Sequence, residues 1–339
     1  MKKTLLLAIM LVSIFSVQAI VKVAYITFQK TMDGSGTTVQ NDPIIQMLSA
    51  DPNLAVTVNV LTSVAATDVI PNITSYDVII VQESFAGAAP MLMPSGALAL
   101  KTIPKPFIYN KTYALKSGRA LTTSSAAGGK EATACLTITV QPTALTNDLF
   151  KACTIGTAGE ITLFNALMTD TSVPTGTVTT LKAINYSSGN TVSGASTILA
   201  VPTILNTDAS PVSVCINDIP AGSTIDLETT LSRMITISTN FGAICGTAGK
   251  NITDDGLTIW RNAVYILGGL PVPATKATLP SIGTGVNTLN NSSEVISVDY
   301  YNVNGIKVLD PTVLTNGIFV KRTTYQSGSV KSEKVVFVK

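Results

Sequence analysis

The sequence predicts an α/β protein with a doubly wound, mostly parallel sheet and a β-rich insertion, followed by a small antiparallel β-sandwich domain. Three observations predict this fold class. Apolar β-rich runs alternate with short helical segments up to about residue 117, as in βαβ units. From about 118 to 195 the chain is rich in Thr, Ser, Gly and Ala. From 294 to 339 apolar and polar residues alternate between glycine turns.

The first elements are predicted from apolar runs and helix-start signals. The predicted strands are VKVAYIT (21–27), LAVTVNVL (54–61), YDVIIVQE (76–83) and KPFIYN (105–110). The third is apolar on consecutive residues, which is typical of a strand buried on both faces. A helix is predicted from Pro43, with Asn41 or Asp42 as its N-cap. Asp68 to Ile73 is predicted as a short helix or turn, and MLMPSGALALK (91–101) as a broken helix.

The clearest predicted helix closes the first domain. A regular apolar pattern returns in STILAVPTIL (196–205), PVSVCIND (211–218) and SRMITIST (232–239). ITDDGLTIWRNAVYILGG (252–269) then reads as a helix that Thr253 or Asp254 caps and that Gly268 and Gly269 end. Its apolar residues recur at helical spacing, and Trp260 is therefore predicted to pack in the core.

The N-terminus has the pattern of a secretory signal peptide. MKKTLLLAIMLVSIFSVQA (1–19) begins with two lysines, continues with an apolar stretch and ends in a small-residue cleavage site after Ala19. A buried first helix is the alternative. No Cys follows the cleavage site, which argues against a lipoprotein anchor. No later apolar stretch has the length that a bilayer requires, so no transmembrane segment is predicted after cleavage.

Charge and cysteine content narrow the function classes. Removing Lys2 and Lys3 leaves 22 − 2 = 20 basic and 20 acidic residues, and a neutral chain has no electrostatic footprint for nucleic acid. Four cysteines (Cys135, Cys153, Cys215 and Cys245) are widely spaced and the chain has no histidine, so neither a metal site nor a cofactor is predicted. The cysteines form two disulfides, in any of three connectivities, or remain four buried thiols.

The C-terminal part is predicted as a separate module. A linker rich in Pro, Gly and small polar residues spans 270–293, and a β domain with turns at Asn304-Gly305, Asn316-Gly317 and Ser327-Gly328 spans 294–339. This domain resembles the C-terminal sorting domain of type IX secretion cargo. The resemblance rests on Tyr300, Tyr301, Gly305, Gly317, Phe319, Val320 and the closing Val338-Lys339. It implies a Bacteroidota-type bacterium, with the export machinery as a partner of this domain.

The region from 20 to 269 carries a second resemblance. Its opening strand, YDVIIVQES, the arginine-led strand at Arg233 and the T-D-D-G helix start at Thr253 to Gly256 resemble the ThuA-like branch of the class I glutamine-amidotransferase-like fold. The resemblance implies a flavodoxin-like sheet. The segment from 118 to 195 departs from the pattern. So do the cysteines, none of which follows the third or fourth strand on a sharp strand-to-helix turn, as an amidotransferase nucleophile does.

A ligand site is predicted at the carboxyl ends of the third and fourth strands. In an open parallel sheet ligands bind beyond these ends. The third strand ends at Gln82, Glu83 and Ser84, and Asn110, Lys111 and Tyr113 follow the fourth. Together they offer amides, one acid, one base and an aromatic face, a set that suits a sugar or another polyhydroxylated ligand. The alternative is a solvated loop rim without a ligand.

Catalysis has fewer candidates. Without histidine, Ser84 cannot belong to a Ser-His-Asp triad, and ESFAG lacks the glycines of a nucleophile elbow. Ser-Lys chemistry would use Lys101, Lys105 or Lys111. Glycoside hydrolysis would pair Glu83 with Asp77, Asp254 or Asp255. A lone carboxylate beside Lys111 is expected to stay ionised and to accept hydrogen bonds, which favours binding over catalysis.

The sequence therefore predicts an exported, secreted or cell-surface protein. Its amidotransferase-like domain is expected to be non-catalytic or degenerate and to bind a glycan or another small polar ligand. The alternative is a carbohydrate-active hydrolase that uses Glu83.

Overall fold

The computed structural model describes residues 20–28, 42–111, 128–131, 135–167, 169–170, 179–180, 183–188, 197–205, 216–225, 228–280, 295–302, 307–308, 317–325 and 330–337. The predicted leader (1–19), Tyr113 and Cys215 lie outside them. The chain divides into two compact units, Met1–Pro280 and Ser281–Lys339.

A nine-stranded mixed sheet forms the centre of the first unit. The strands of this unit are β1 (Val21–Phe28), β2 (Leu54–Leu61), β3 (Val78–Val81), β4 (Phe107–Tyr109), β5 (Gly128–Glu131), β6 (Thr137–Val140), β7 (Glu160–Thr162), β8 (Thr169–Asp170), β9 (Thr179–Thr180), β10 (Asn185–Ser188), β11 (Thr197–Pro202), β12 (Ile216–Ile219), β13 (Thr224–Ile225), β14 (Glu228–Thr229) and β15 (Met234–Ile237). The order in the large sheet is β2-β1-β3-β4-β15-β12-β11-β6-β7. The five strands from β2 to β15 pair in parallel, and the other four continue antiparallel.

The four strands predicted in the first part of the chain are confirmed and are neighbours in the parallel half. β3 and β4 are buried at every residue, as their unbroken apolar sequences predict. β1 lies between β2 and β3 and is buried at six of its eight residues. The remaining described strands of this unit form three two-stranded sheets, β5 with β10 and β8 with β9 within 118–195, and β13 with β14 outside that segment. The described part of 118–195 thus contains six strands, β5 to β10, in agreement with its predicted β-rich character.

Three α-helices occur in the described residues: α1 (Pro43–Ser49), α2 (Phe241–Gly249) and α3 (Asp254–Leu267). The predicted signals for α1 and α3 are confirmed. The Asp42 side chain caps α1 with Pro43 in its first turn, and Thr253 caps α3 by accepting a hydrogen bond from Gly256 N at 3.0 Å. Trp260 is buried, as its place on the apolar face of α3 predicts.

The two faces of the sheet are covered differently. All three α-helices contribute to one core cluster, which contains Tyr25, Ile108 and Trp260. The other cluster contains Tyr109 and is filled largely from residues 70–103. In that segment the helix predicted over 91–101 is wrong: only a 3₁₀ helix at Pro90–Leu92 forms, followed by turns. Gly96 packs where a Cβ atom would lie 2.1 Å from Met91 O, a close approach that α-helical geometry does not provide.

Further 3₁₀ helices lie at Ile73–Ser75, Pro142–Ala144, Asp148–Phe150 and Thr203–Leu205. A short helix or turn was predicted from Asp68 to Ile73, and the 3₁₀ helix begins only at the last of these residues.

The second unit contains one four-stranded antiparallel sheet. Its strands are β16 (Val295–Asn302), β17 (Lys307–Val308), β18 (Gly317–Tyr325) and β19 (Val330–Phe337), in the order β17-β16-β18-β19. The predicted antiparallel sheet is therefore confirmed, and the described strands do not include the second sheet of a sandwich. Lys307 pairs with Asp299 at 2.8 Å across β16 and β17.

The described cysteines, Cys135, Cys153 and Cys245, do not form disulfides with one another. Of the two alternatives, this agrees with buried thiols: Cys135 and Cys245 are buried and Cys153 is half-buried. Among the described residues, no helix combines the length and the apolar character needed to cross a membrane.

Candidate functional site

The carboxyl ends of the parallel strands bring four of the six predicted ligand residues together. Gln82 directly follows β3, and Asn110 directly follows β4, its neighbour in the sheet. Because parallel strands end at the same edge, side chains separated by 28 residues in sequence come within hydrogen-bonding distance. Lys111 and Glu83 meet one position further along. The predicted juxtaposition of these residues is thus present in the structure.

Gln82 and Asn110 form the buried centre of this edge. Both are fully buried, and Asn110 Nδ2 donates a hydrogen bond to Gln82 Oε1. The same oxygen accepts from Glu83 N at 2.7 Å. Asn110 Oδ1 accepts from Thr239 N at 2.8 Å, which ties the end of β4 to the loop after β15. These amides therefore hold the ends of three strands together.

Two residues that the ligand-site prediction missed extend this network under α1. Gln82 Nε2 donates to Tyr25 Oη at 2.6 Å, and Tyr25 Oη donates to Asp42 Oδ2. Asp42 Oδ1 accepts from Ile44 N at 2.9 Å as the cap of α1. Asp42 was predicted only as a cap. A tyrosine on the buried face of β1 and an acid at a helix start gave no local sign that they would meet.

Burial dominates the protonation chemistry of this pair. Loss of water around the fully buried Asp42 carboxyl raises its pKa from 3.8 to about 6, against hydrogen bonds from Tyr25 and from Ile44 N that lower it. Burial, and then the nearby Asp42 charge, raise the pKa of Tyr25 well above its ordinary value. Tyr25 therefore stays neutral at physiological pH, and its hydroxyl group donates a hydrogen bond to the Asp42 carboxylate.

Glu83 and Lys111 form an ion pair at the rim of the network. Lys111 Nζ lies 2.6 Å from Glu83 Oε1 and also donates to Glu83 O at 2.9 Å. The other carboxylate oxygen of Glu83 accepts from Phe241 N, the first residue of α2, at 3.1 Å. The Glu83 side chain is 14% exposed and that of Lys111 only 4%. Glu83 is thus an acceptor that a cation and a helix N-terminus hold in one orientation.

Ser84 faces β1. Its hydroxyl oxygen accepts from Thr27 Oγ1 at 2.9 Å and from Phe28 N at 2.8 Å, and the residue is fully buried. Tyr113 lies outside the described residues. Whether a ligand uses any of the six residues stays a prediction.

The carboxylates that a hydrolase could pair with Glu83 lie in other elements and have other partners. Asp77 lies at the amino ends of the parallel strands, directly before β3. Its carboxylate accepts a hydrogen bond of 2.9 Å from Lys22 N, near the start of β1. Asp255 lies in the first turn of α3 and pairs with Lys276 at 2.7 Å. Asp254 neighbours it in the same turn. Of the lysines considered for Ser-Lys chemistry, Lys101 lies 3.8 Å from Glu228 and Lys111 is held by Glu83.

A cavity of about 600 Å³ lies at the amino ends of the parallel strands, away from this edge. Asp77, Lys105, Leu267 and Leu270 are among the residues that line it. In the part of the chain that the structure describes, no three Cys, Asp or Glu side chains are grouped to hold a metal ion.

Comparison of the chain with protein-family models, with curated proteins and with solved structures finds no match. Functional inference therefore rests on the geometry of this edge and on the sequence.

Proposed function

We propose that this chain is an exported protein whose first domain binds a carbohydrate or another small polar ligand at the carboxyl edge of the sheet, without transforming it. The observation that carries the proposal is the setting of Glu83. Lys111 Nζ and Phe241 N both donate to its carboxylate, so the group is built to accept hydrogen bonds from hydroxyl groups rather than to deliver a proton. The absence of histidine from the chain removes the usual partner for proton transfer.

The position of Glu83 in the fold supports the same proposal. The order β2-β1-β3-β4-β15 of the parallel strands supports a flavodoxin-like arrangement, in which ligands bind at the carboxyl ends next to the point where the order reverses. β1 and β3 flank this point, and Glu83 follows β3. On this basis we propose a doubly wound, amidotransferase-like domain of the ThuA-like kind. Arg233, at the start of β15, pairs with Asp218 through two hydrogen bonds of 3.0 and 2.7 Å, a structural role for the arginine of the resemblance.

Export is proposed from the signal-peptide pattern and from the resemblance of the C-terminal domain to a sorting domain. An antiparallel sheet of four strands is compatible with that domain type. The mature protein is expected to begin at Ile20 and to occur in the medium or on the cell surface. N-terminal sequencing of the extracellular fraction tests this, and a retained Met1 would refute it.

The binding proposal is tested by a glycan-binding and hydrolysis screen on the purified chain. Wild type is expected to bind members of a neutral mono- and disaccharide panel and to release no product. Glu83→Gln is expected to weaken binding, with unfolding measured in parallel. Asp255→Asn is the matched control, because Asp255 is also 14% exposed at its side chain and ion-paired, but lies in α3. Hydrolysis that depends on Glu83 would instead support the hydrolase, and no binding by wild type would overturn the proposal.

A further inference from the structure

The cavity at the amino ends of the parallel strands is a second candidate site, separate from the carboxyl edge. Its volume of about 600 Å³ lies within the range of small-molecule sites. Asp77 precedes β3, Lys105 precedes β4 and Leu267 ends α3, and all three line the cavity. Glu83 follows the other end of β3. A ligand in this cavity is therefore independent of the proposed function.

Apolar side chains form one wall of this cavity. Val21 at the start of β1 and Leu267 are buried in the core, and Leu270 packs against the same core from a half-buried position. Gly269 adds no side chain to the wall. Its φ is +71°, and no atom of the described residues beyond its chain neighbours lies within 4 Å of the place that a Cβ atom would occupy. The wall therefore borders open space that an apolar group can fill.

Two opposite charges come together at the same cavity. Ile79 of β3 pairs with Phe107 of β4. Asp77 and Lys105 each stand two residues before this pair. Neighbouring strands are about 4.8 Å apart, so the carboxylate and the ammonium group belong to adjacent backbones. Within the part of the chain that the structure describes, neither residue takes part in an ion pair, and both charges are therefore available to a ligand.

The end of α3 adds a partial negative charge. The helix runs to Leu267 and has no basic residue in its last turn. Leu267 and the C-cap residue Gly268 both line the cavity. Because the C-terminus of a helix favours a cation, this side of the cavity and Asp77 together suit a positively charged group of a ligand. The Asp77 carboxylate is held by the hydrogen bond that it accepts from Lys22 N at 2.9 Å.

We infer that this cavity binds a free amino acid with an apolar side chain. In this assignment Lys105 binds the α-carboxylate, and Asp77 and the end of α3 bind the α-ammonium group. The apolar side chain lies on the wall of Val21, Leu267 and Leu270. An amino acid carries both charges on one carbon atom, which suits an acid and a cation that come from neighbouring strand starts. A ligand with a single charge would leave the opposite charge of the cavity without a partner.

The test measures binding of L-leucine to the purified chain by isothermal titration calorimetry. Three analogues each lack one feature: 4-methylpentanoate lacks the ammonium group, 3-methylbutylamine lacks the carboxylate and glycine lacks the apolar side chain. Wild type is expected to bind L-leucine at least about tenfold more tightly than any of them, because each analogue loses a charge-assisted hydrogen bond or buried apolar area.

Two variants remove one charge each. Lys105→Met keeps the aliphatic chain and is expected to weaken L-leucine binding about tenfold, while 3-methylbutylamine, which has no carboxylate, binds no more weakly than to wild type. Asp77→Asn keeps an oxygen for Lys22 N and is expected to weaken L-leucine binding about tenfold, while 4-methylpentanoate binds no more weakly than to wild type. Both variants are expected to unfold at the wild-type temperature, since neither removes an ion pair.

Lys101→Met and Asp68→Asn are the matched controls. Lys101 has the same charge on the segment before β4, but it pairs with Glu228 at 3.8 Å and does not line the cavity. The Asp68 carboxylate accepts a hydrogen bond of 3.0 Å from Ala65 N, as Asp77 does from a backbone N–H, but it too lies outside the cavity lining. Both controls are expected to bind L-leucine as wild type does.

Four outcomes overturn the inference. No binding of L-leucine by wild type would exclude the ligand class, whatever the sugar screen at the carboxyl edge shows. Equal binding by wild type, Lys105→Met and Asp77→Asn would place the amino acid elsewhere. Binding of 4-methylpentanoate or 3-methylbutylamine as tight as that of L-leucine would show that the ligand is not recognised as a zwitterion. Equally tight binding of glycine would remove the apolar wall from the site.

Discussion

Substitution of Asp42 by Asn is expected to remove a specific component of the pH dependence of folding. Asp42 is fully buried between the start of α1 and the hydroxyl group of Tyr25. Asn keeps an oxygen that can cap α1 at Ile44 N, and its amide can donate to the Tyr25 hydroxyl oxygen. The substitution therefore removes the titration while preserving the shape and most of the hydrogen bonds.

The magnitude follows from the pKa of the buried carboxyl. Its folded-state pKa of about 6 lies above the ordinary value of 3.8, so the folded protein binds the proton more tightly than the unfolded chain does. Stability from this group is complete below about pH 4 and is lost as the pH rises through about 6. The whole difference corresponds to about 3 kcal/mol, of which about 2 kcal/mol falls between pH 4 and pH 7.

The assay is urea denaturation of wild type and Asp42→Asn between pH 4 and pH 7.5, followed by tryptophan fluorescence. The chain has one tryptophan, Trp260, which is buried in the first unit, so the signal reports that unit. Other carboxyl groups titrate in both proteins, and subtracting one curve from the other isolates Asp42. The stability of wild type relative to the variant is expected to fall by about 2 kcal/mol from pH 4 to pH 7.

A flat difference curve would show that Asp42 has an ordinary pKa in the folded protein. A curve that rises with pH would show that the hydrogen bonds from Tyr25 and Ile44 N outweigh the loss of water. Either result would refute the assigned balance between burial and hydrogen bonding.

Three further predictions concern the ion pair, helix packing and domain division. Glu83→Gln is expected to lower the free energy of unfolding in urea by about 2–4 kcal/mol, because the side chain of its partner Lys111 is only 4% exposed. Asp255→Asn is expected to lower it by less than about 1 kcal/mol, because the side chain of Lys276 is 36% exposed. Equal losses in the two variants would contradict this reasoning. Gly256→Ala is expected to lower the free energy of unfolding by about 1–3 kcal/mol in the same assay, although Ala is the better helix former. The reason is that the added Cβ atom would lie 2.7 Å from Ile252 Cγ1 and 3.0 Å from Leu163 O. A gain in stability would refute the tight packing around Gly256. Limited proteolysis, read by mass spectrometry, is expected to cut first between 270 and 293, and first cuts inside 21–117 would argue against the division.

Local sequence patterns determined most of the secondary structure around the site. The consecutive apolar residues of β3 and β4, the cap and proline of α1, and the cap and glycine stop of α3 each act within a few residues. The edge at which Gln82 and Asn110 meet was also predictable, since parallel strands end together. The broken helix expected over 91–101 was not found: a 3₁₀ helix and turns form there, and Gly96 lies close to the Met91 carbonyl oxygen.

Only the tertiary structure decided which polar groups are bonded and which are not. Thr239 N reaches Asn110 across 129 residues and Phe241 N reaches Glu83 across 158, contacts that depend on β15 pairing beside β4. The same pairing places Thr236 beside Tyr109, and β12 brings Asn217 to the other side. A strand's own sequence determines which residues alternate, but its neighbour and register depend on the closure of the whole sheet. The sequence could therefore name polar residues at strand ends, whereas the fold decided that Asn110 is bonded and Asn185 is unpartnered within the described residues.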